Sequence, residues 1–351
     1  MMEMEERIVA DRLEGVPLPA ETTAVLGHDD ALLHLKKAYG SGRMHHGWLL
    51  AGPRGIGKSA TAFSMARHIL SHPNPATAPG DHGPAAVDPS VSAQIANGAH
   101  PNLLHLTRPW DAKAKRFKTK LTVDEIRQMH RFFGLTAGAG GWRICIVDAA
   151  DDLNPNSANA LLKMLEEPPK RTIIFVITHV VGGLLATIRS RCQVLNFKPL
   201  NAQHIDAITE KFDLVQDDVN RSRAAGLADG SVRKAIQLLQ GGALEPYSAF
   251  EKLMQARATG TAQEWMVVHK IAEQLSGAGK DETFRLFMDL AMGWIGNQVR
   301  EAPAATPATL AGWAEVWDKA TRSLTLAEAF NLDKKQVILS LFYTLFERHK
   351  T

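Results

Sequence analysis

At about 150 residues per domain, a chain of 351 residues suggests two or three domains. A composition of 45% hydrophobic and 22% charged residues excludes a disordered or collagen-like chain. Its 40 Lys and Arg against 37 Asp and Glu leave +3, too little for a surface coated throughout for nucleic acid. With only Cys145 and Cys192, neither a disulfide framework nor a four-cysteine zinc site is available. The first twelve residues carry Glu3, Glu5, Glu6 and Asp11 and lack the apolar stretch of a secretory signal. No apolar run reaches the roughly 20 residues of a membrane span, so a cytoplasmic protein without membrane partners is expected.

In chain order, Ala31, Leu32, Leu35 and Ala38 recur at helical spacing, and Gly40-Ser41-Gly42 ends that helix. The apolar run 47–51 reads as a buried strand. It feeds a glycine-rich turn and a second helix over 58–71. The stretch 71–90 holds five prolines (73, 75, 79, 84 and 89) and reads as a surface loop, extending to about 101. Residues 103–106 restart a strand, and 123–133 read as a helix capped by Thr122 with Glu125 three residues on. A buried strand over 143–147 precedes a helix over 156–167, which Pro168-Pro169 stops. The β-branched run 172–178 is a further buried strand. Strands that alternate with helices predict an α/β fold with a parallel sheet covered on both faces. After Pro199 the pattern is helical only: three short helices over 201–212, 217–227 and 231–240, a break at Gly241-Gly242, then aromatic-rich helices to the end, interrupted by an Ala/Pro stretch at 302–309.

Gly52-Pro53-Arg54-Gly55-Ile56-Gly57-Lys58-Ser59 matches the phosphate-loop pattern at every fixed position, between a strand and a helix as the pattern requires. Gly52, Gly55 and Gly57 let backbone N–H groups face a phosphate, Lys58 reaches the outer phosphates and Ser59 suits Mg²⁺. The second strand ends in Asp148, placed to hold that Mg²⁺ through water. The next residue, where hydrolysing relatives of this loop carry a glutamate base, is Ala149, which accepts no proton. Asp151 and Asp152 are the nearest carboxylates that could substitute.

Three further segments carry a resemblance: 43–48 (Arg-Met-His-His-Gly-Trp), 157–169 (through Leu165-Glu166-Glu167-Pro168-Pro169) and Ser190-Arg191-Cys192. Together they resemble the AAA+ clamp-loader subunits of bacterial DNA polymerase III, densely over residues 23–239. Ala149 and Gly141-Trp142-Arg143 point to the delta-prime type. The resemblance implies an AAA+ P-loop domain over 1–198, a three-helix lid over 199–242 and an all-α collar over 243–351. It implies bound ATP and Mg²⁺ without hydrolysis by this chain, and a hetero-pentameric ring with gamma/tau-type and delta-type subunits that sets a sliding clamp on primed DNA. Arg191 is then an arginine finger offered in trans, Thr178 the polar residue that senses the phosphate, and Arg233 the lid arginine that reaches back to it.

Two departures bear on this reading. Where many relatives carry a four-cysteine zinc module, this chain has the Pro-rich stretch from Ser71, so no zinc is expected. His72, Asp81, His82 and His100 have no standard ligand spacing. The phosphate loop itself is intact, so nucleotide binding stays open even without turnover. Lys113, Lys115, Arg116, Lys118 and Lys120, near Trp110 and Phe117, read as a solvated hairpin or loop in preference to a phosphate-backbone contact. The competing function is a self-sufficient AAA+ ATPase motor or remodeller, against which Ala149 counts.

Overall fold

Four apolar runs and one short edge strand form a parallel sheet in the computed structural model, which describes residues 9–80, 87–134, 141–212, 214, 217–300, 307–330 and 332–350. The chain enters through helix α1 (Asp29–Gly40), strand β1 (Gly47–Ala51), α2 (Lys58–Ser71), α3 (Pro89–Ala96) and β2 (Leu103–Leu106). A small hairpin, β3 (Trp110–Asp111) and β4 (Arg116–Phe117), leads to α4 (Val123–Gly134), β5 (Arg143–Val147), α5 (Pro155–Glu166) and β6 (Thr172–Thr178). Then come α6 (Ala186–Arg189), β7 (Gln193–Asn196) and α7 (Ala202–Glu210). The sheet order is β2-β5-β6-β1-β7, with every pairing parallel.

All seven residues of β6 are buried, as a central strand covered on both faces requires. Alternate side chains divide between two cores. Trp48, Leu50, Ile144, Ile146, Ile173, Phe175 and Ile177 pack with α1, α2 and Ile95. Leu49, Cys145, Val147, Ile174 and Val176 pack on the other face with α4 and α5. The α5 entry is locked by Asn154 and Ser157, which exchange side-chain to backbone hydrogen bonds at 2.9 and 2.8 Å, with Pro155 in the first turn where no donor is needed.

Three features differ from expectation. The Pro-rich stretch contains helix α3, because Pro89 stands at its first turn and the Asp88 carboxylate accepts from Ser90 N at 2.8 Å. Proline opens this helix where the composition suggests only a loop. The segment around Ser190-Arg191-Cys192 lies between a short helix and an edge strand, α6 and β7, neither of which has enough apolar periodicity to be read. Helix α5 begins at Pro155, one residue earlier than expected.

The chain divides into two compact units, the described residues of Met1–Asp213 with Asp229–Arg233, and those of Leu214–Ala228 with Lys234–Thr351. The second comprises α8 (Asp218–Leu227), α9 (Val232–Gly241) beyond Arg233, α10 (Leu244–Gln255), α11 (Ala262–Ser276), α12 (Asp281–Arg300), α13 (Pro307–Phe330) and α14 (Lys334–Lys350). Phe250 is its hub, with the rings of Tyr247, Phe287, Trp294 and Phe342 centred 5.6 to 6.0 Å away. Among the described residues, no helix is long and apolar enough to cross a membrane.

Phe175 is fully buried at the middle of β6, in register with Trp48 on one side and Ile146 on the other. Phe175→Ala is expected to destabilise the sheet unit by about 3–5 kcal/mol, read as a lowered denaturant midpoint, and Phe175→Leu by less than half of that.

Candidate functional site

Strand β1 ends at Ala51 and α2 begins at Lys58; between them the chain takes a path open to glycine. Gly52, Gly55 and Gly57 have φ of +152°, +78° and +103°. A Cβ on Gly52 would lie 2.5 Å from the Phe197 carbonyl oxygen, and one on Gly55 2.4 Å from both Arg233 Cβ and Ser231 Oγ. The loop is tied to the segment before α9: Ser231 Oγ donates to Arg54 O at 2.9 Å and Arg233 N to Gly55 O at 3.3 Å.

No side chain caps the start of α2, so its first amides have no side-chain acceptor, as at helix starts that receive an anion. Ser59 Oγ is buried without a hydrogen-bond partner. Lys58, only 3% exposed, donates Nζ to Gly52 O at 2.6 Å and Pro53 O at 2.5 Å. Burial lowers its ammonium from the usual 10.5 to about 8, although Asp148 and Asp151 pull the other way. A bare glycine cradle, a buried hydroxyl that faces Asp148 and a buried ammonium are the donor set that a polyphosphate with Mg²⁺ requires.

Sheet topology brings the second acid to the same edge. Strand β6 lies between β1 and β5, so Thr178, in register with Ala51, stands between the loop and Asp148. Burial opposes ionisation of Asp148, yet His105, with Nε2 3.7 Å from Oδ2, together with the Ser59 hydroxyl and His179 outweighs it and holds the carboxyl below its ordinary range. Asp151 is committed to the end of β6. It accepts from Thr178 Oγ1 at 3.1 Å, His179 N at 2.8 Å and Val180 N at 3.0 Å. Asp152 faces Arg108 at 3.3 Å. Ala149, next to Asp148, is buried.

Arg233 lies against Gly55 of the loop, and its Nη1 donates to the main-chain oxygen of Asp11 at 2.5 Å. Arg191 is placed elsewhere. Its Nη2 pairs with Glu166 Oε1 at 2.7 Å and its Nη1 donates to Thr187 O at 3.1 Å and Ser190 Oγ at 3.3 Å, and none of these partners belongs to the phosphate loop. Both ends of that ion pair are exposed by more than a third. Asp11, Arg54 and Arg108 also stand beside the loop. No motif marks them, because Arg54 fills a variable loop position and Asp11 is distant in sequence.

The basic run is an exposed hairpin. The Asp111 carboxylate accepts from Lys113 N and Ala114 N, both at 3.0 Å, and Trp110 meets Phe117 edge-on at 5.1 Å. Among the described residues no group of three His, Cys, Asp or Glu could hold a metal ion; Asp81 and His82 lie outside those residues. Burial raises the thiols of Cys145 and, to about 12, Cys192, so neither is poised as a nucleophile.

Residues 27–201 match the family model described as "DNA polymerase III, delta subunit". That match covers just under half of the chain, and over it the chain is similar to that family. It is 37% identical over 147 residues to DNA polymerase III subunit delta' of Pseudomonas aeruginosa, covering 42% of this chain and 41% of the relative. It is 31% identical over 226 residues to the subunit of the same name from Escherichia coli, covering 64% and 62%. The tau subunit of Bacillus subtilis is 28% identical over 225 residues, covering 63% of this chain and 37% of the relative. The chain is thus delta-prime-like among DNA polymerase III subunits, and the matched stretch holds its parallel sheet and phosphate loop. It spans between 41% and 62% of the length of the delta' relatives.

Because Lys58 titrates near 8 when folded and near 10.5 when unfolded, the unfolded chain holds the extra proton between those values. The penalty for burying the ammonium is complete below about pH 8 and gone above 10.5. Relative to Lys58→Met, the wild type is therefore expected to gain stability on the order of 2 kcal/mol across that window, measured by denaturant unfolding at each pH.

Proposed function

We propose that this chain is a clamp-loader subunit that binds ATP with Mg²⁺ without hydrolysing it, and lends Arg191 to a neighbouring subunit's site. The observation that carries the first half is the pairing of an intact loop with Ala149, while Asp151 is consumed by three donors at the end of β6 and Asp152 faces Arg108. Gly52, Gly55, Gly57 and Lys58 hold the phosphates, Thr178 and Arg233 stand at the outer phosphate, and Ser59 with Asp148 holds Mg²⁺. The metal supplies charge neutralisation on the phosphate oxygens. Neither Asp151 nor Asp152 is thereby left to orient an attacking water, which disfavours a self-sufficient motor.

Arg191 supports the second half through its position. It follows α6, its partners lie away from its own loop, and its guanidinium is a permanent charge with a rigid fork of donors that suits a developing phosphoryl charge. The domain reading goes with it: an AAA+ domain over 1–198, a lid over 199–242 and a collar over 243–351 that joins gamma/tau-type and delta-type subunits in a pentameric ring. The ring acts in the cytoplasm on a sliding clamp and primed DNA.

Calorimetry is expected to show MgATP binding that Lys58→Ala weakens at least tenfold, with phosphate release no higher than background. Turnover that survives purification to homogeneity and vanishes in Lys58→Ala would refute the non-hydrolysing role. Arg191→Ala is expected to leave this chain folded and able to assemble. Single-turnover hydrolysis at the adjacent subunit's site in the reconstituted complex should fall about 10³-fold or more, with poor rescue by Arg191→Lys. Wild-type rates there would make Arg191 a structural residue.

A further inference from the structure

Three arginines from separate elements converge on one aspartate beside the phosphate loop. Arg54, within the loop, pairs with Asp11 Oδ2 at 2.8 Å, and Arg108, just beyond β2, pairs with Asp11 Oδ1 at 2.8 Å. Arg233 donates to the main-chain oxygen of the same residue at 2.5 Å. Arg108 also reaches Asp152 at 3.3 Å, so the guanidiniums of Arg54 and Arg108 share two carboxylates while Arg233 holds the main chain of Asp11. Asp11 adopts φ +60°, a conformation that a short polar side chain tolerates.

The cluster is held against the loop, since Ser231 and Arg233 bond to Arg54 O and Gly55 O. A carboxylate gripped by two guanidiniums presents the same planar pair of acceptor oxygens as two edges of a phosphate. Its side chain is 42% exposed, and those of Arg54 and Arg108 are 54% and 22% exposed. Ion pairs this open are individually weak. A polyphosphate carrying three or four negative charges offers the same arginines more than a single carboxylate can.

We propose that Arg54, Arg108 and Arg233 form a polyphosphate subsite beside the loop, and that Asp11 is its built-in occupant, displaced when phosphates bind. The nucleotide reading above gives Arg233 a role and uses Arg108 only as the partner of Asp152, and it gives none to Arg54 or Asp11. The proposal rests on that reading for the identity of the ligand as a nucleotide, though not for the chemistry of the subsite.

Full-length wild type, Asp11→Asn, Arg108→Gln, the double variant and Lys58→Ala, each checked for folding by circular dichroism, are titrated with MgATP and with inorganic tripolyphosphate. Asp11→Asn is expected to tighten both about 3- to 10-fold, because the competitor is lost while the arginines remain. Arg108→Gln is expected to weaken both about tenfold, and adding Asp11→Asn to it should recover less than the single change gains. Unchanged or weaker binding by Asp11→Asn overturns the proposal, as does unchanged or tighter binding by Arg108→Gln. If Lys58→Ala leaves MgATP binding intact while the Asp11 and Arg108 effects persist on tripolyphosphate, the loop reading fails and the subsite stands. If neither titrant binds to wild type or to Asp11→Asn, both fail.

Discussion

The parallel pairing of β6 between β1 and β5 is the constraint on which the site depends. Parallel strands end at one edge of a sheet, so whatever follows them is gathered there without further design. The loop after β1, Asp148 after β5 and Thr178 closing β6 are brought together by register, with Ala51 opposite Thr178 and Val147 opposite Val176. That register holds because β6 is buried along its whole length. A slip by one residue would exchange the side chains of its two cores, placing Phe175 where Ile174 and Val176 now pack.

Within that frame, the site is complete in some respects and spare in others. The glycines, the lysine and the serine are in place, and the buried hydroxyl of Ser59 stands beside Asp148, where it helps to keep that carboxyl ionised. The residue after Asp148 contributes a methyl group, and the acid three residues on fastens the end of β6. Asp151 thus has a structural task in its three hydrogen bonds. A carboxylate so fully engaged has little capacity left for water.

Much of this was legible in the sequence, for reasons that can be located. The strands 47–51, 143–147 and 172–178 stand out because strands buried on both faces are continuous apolar runs. The phosphate loop stands out because three glycines and a lysine at fixed offsets seldom coincide. Edge strand β7 was not legible: Gln193 and Asn196 flank Val194 and Leu195, and a half-exposed four-residue strand carries too little periodicity. Helix α3 was hidden by its own proline, which breaks a helix in the middle and begins one at the first turn. The cluster of Asp11 with Arg54 and Arg108 depends on contacts across 43 and 97 positions of chain, and no local pattern encodes those.

The pairing of Arg191 with Glu166 has a consequence for encounter. The two side chains form a neutral couple at 2.7 Å on an exposed surface, so an anion several ångströms away meets a dipole in place of a free positive charge. The field of such a couple decays faster than that of a lone cation and is further screened over the roughly 8 Å Debye length of physiological salt. Arg191 therefore does little to steer a distant phosphate. It can act on one only after other surfaces have brought the two into contact, and the encounter at this point should be nearly indifferent to ionic strength.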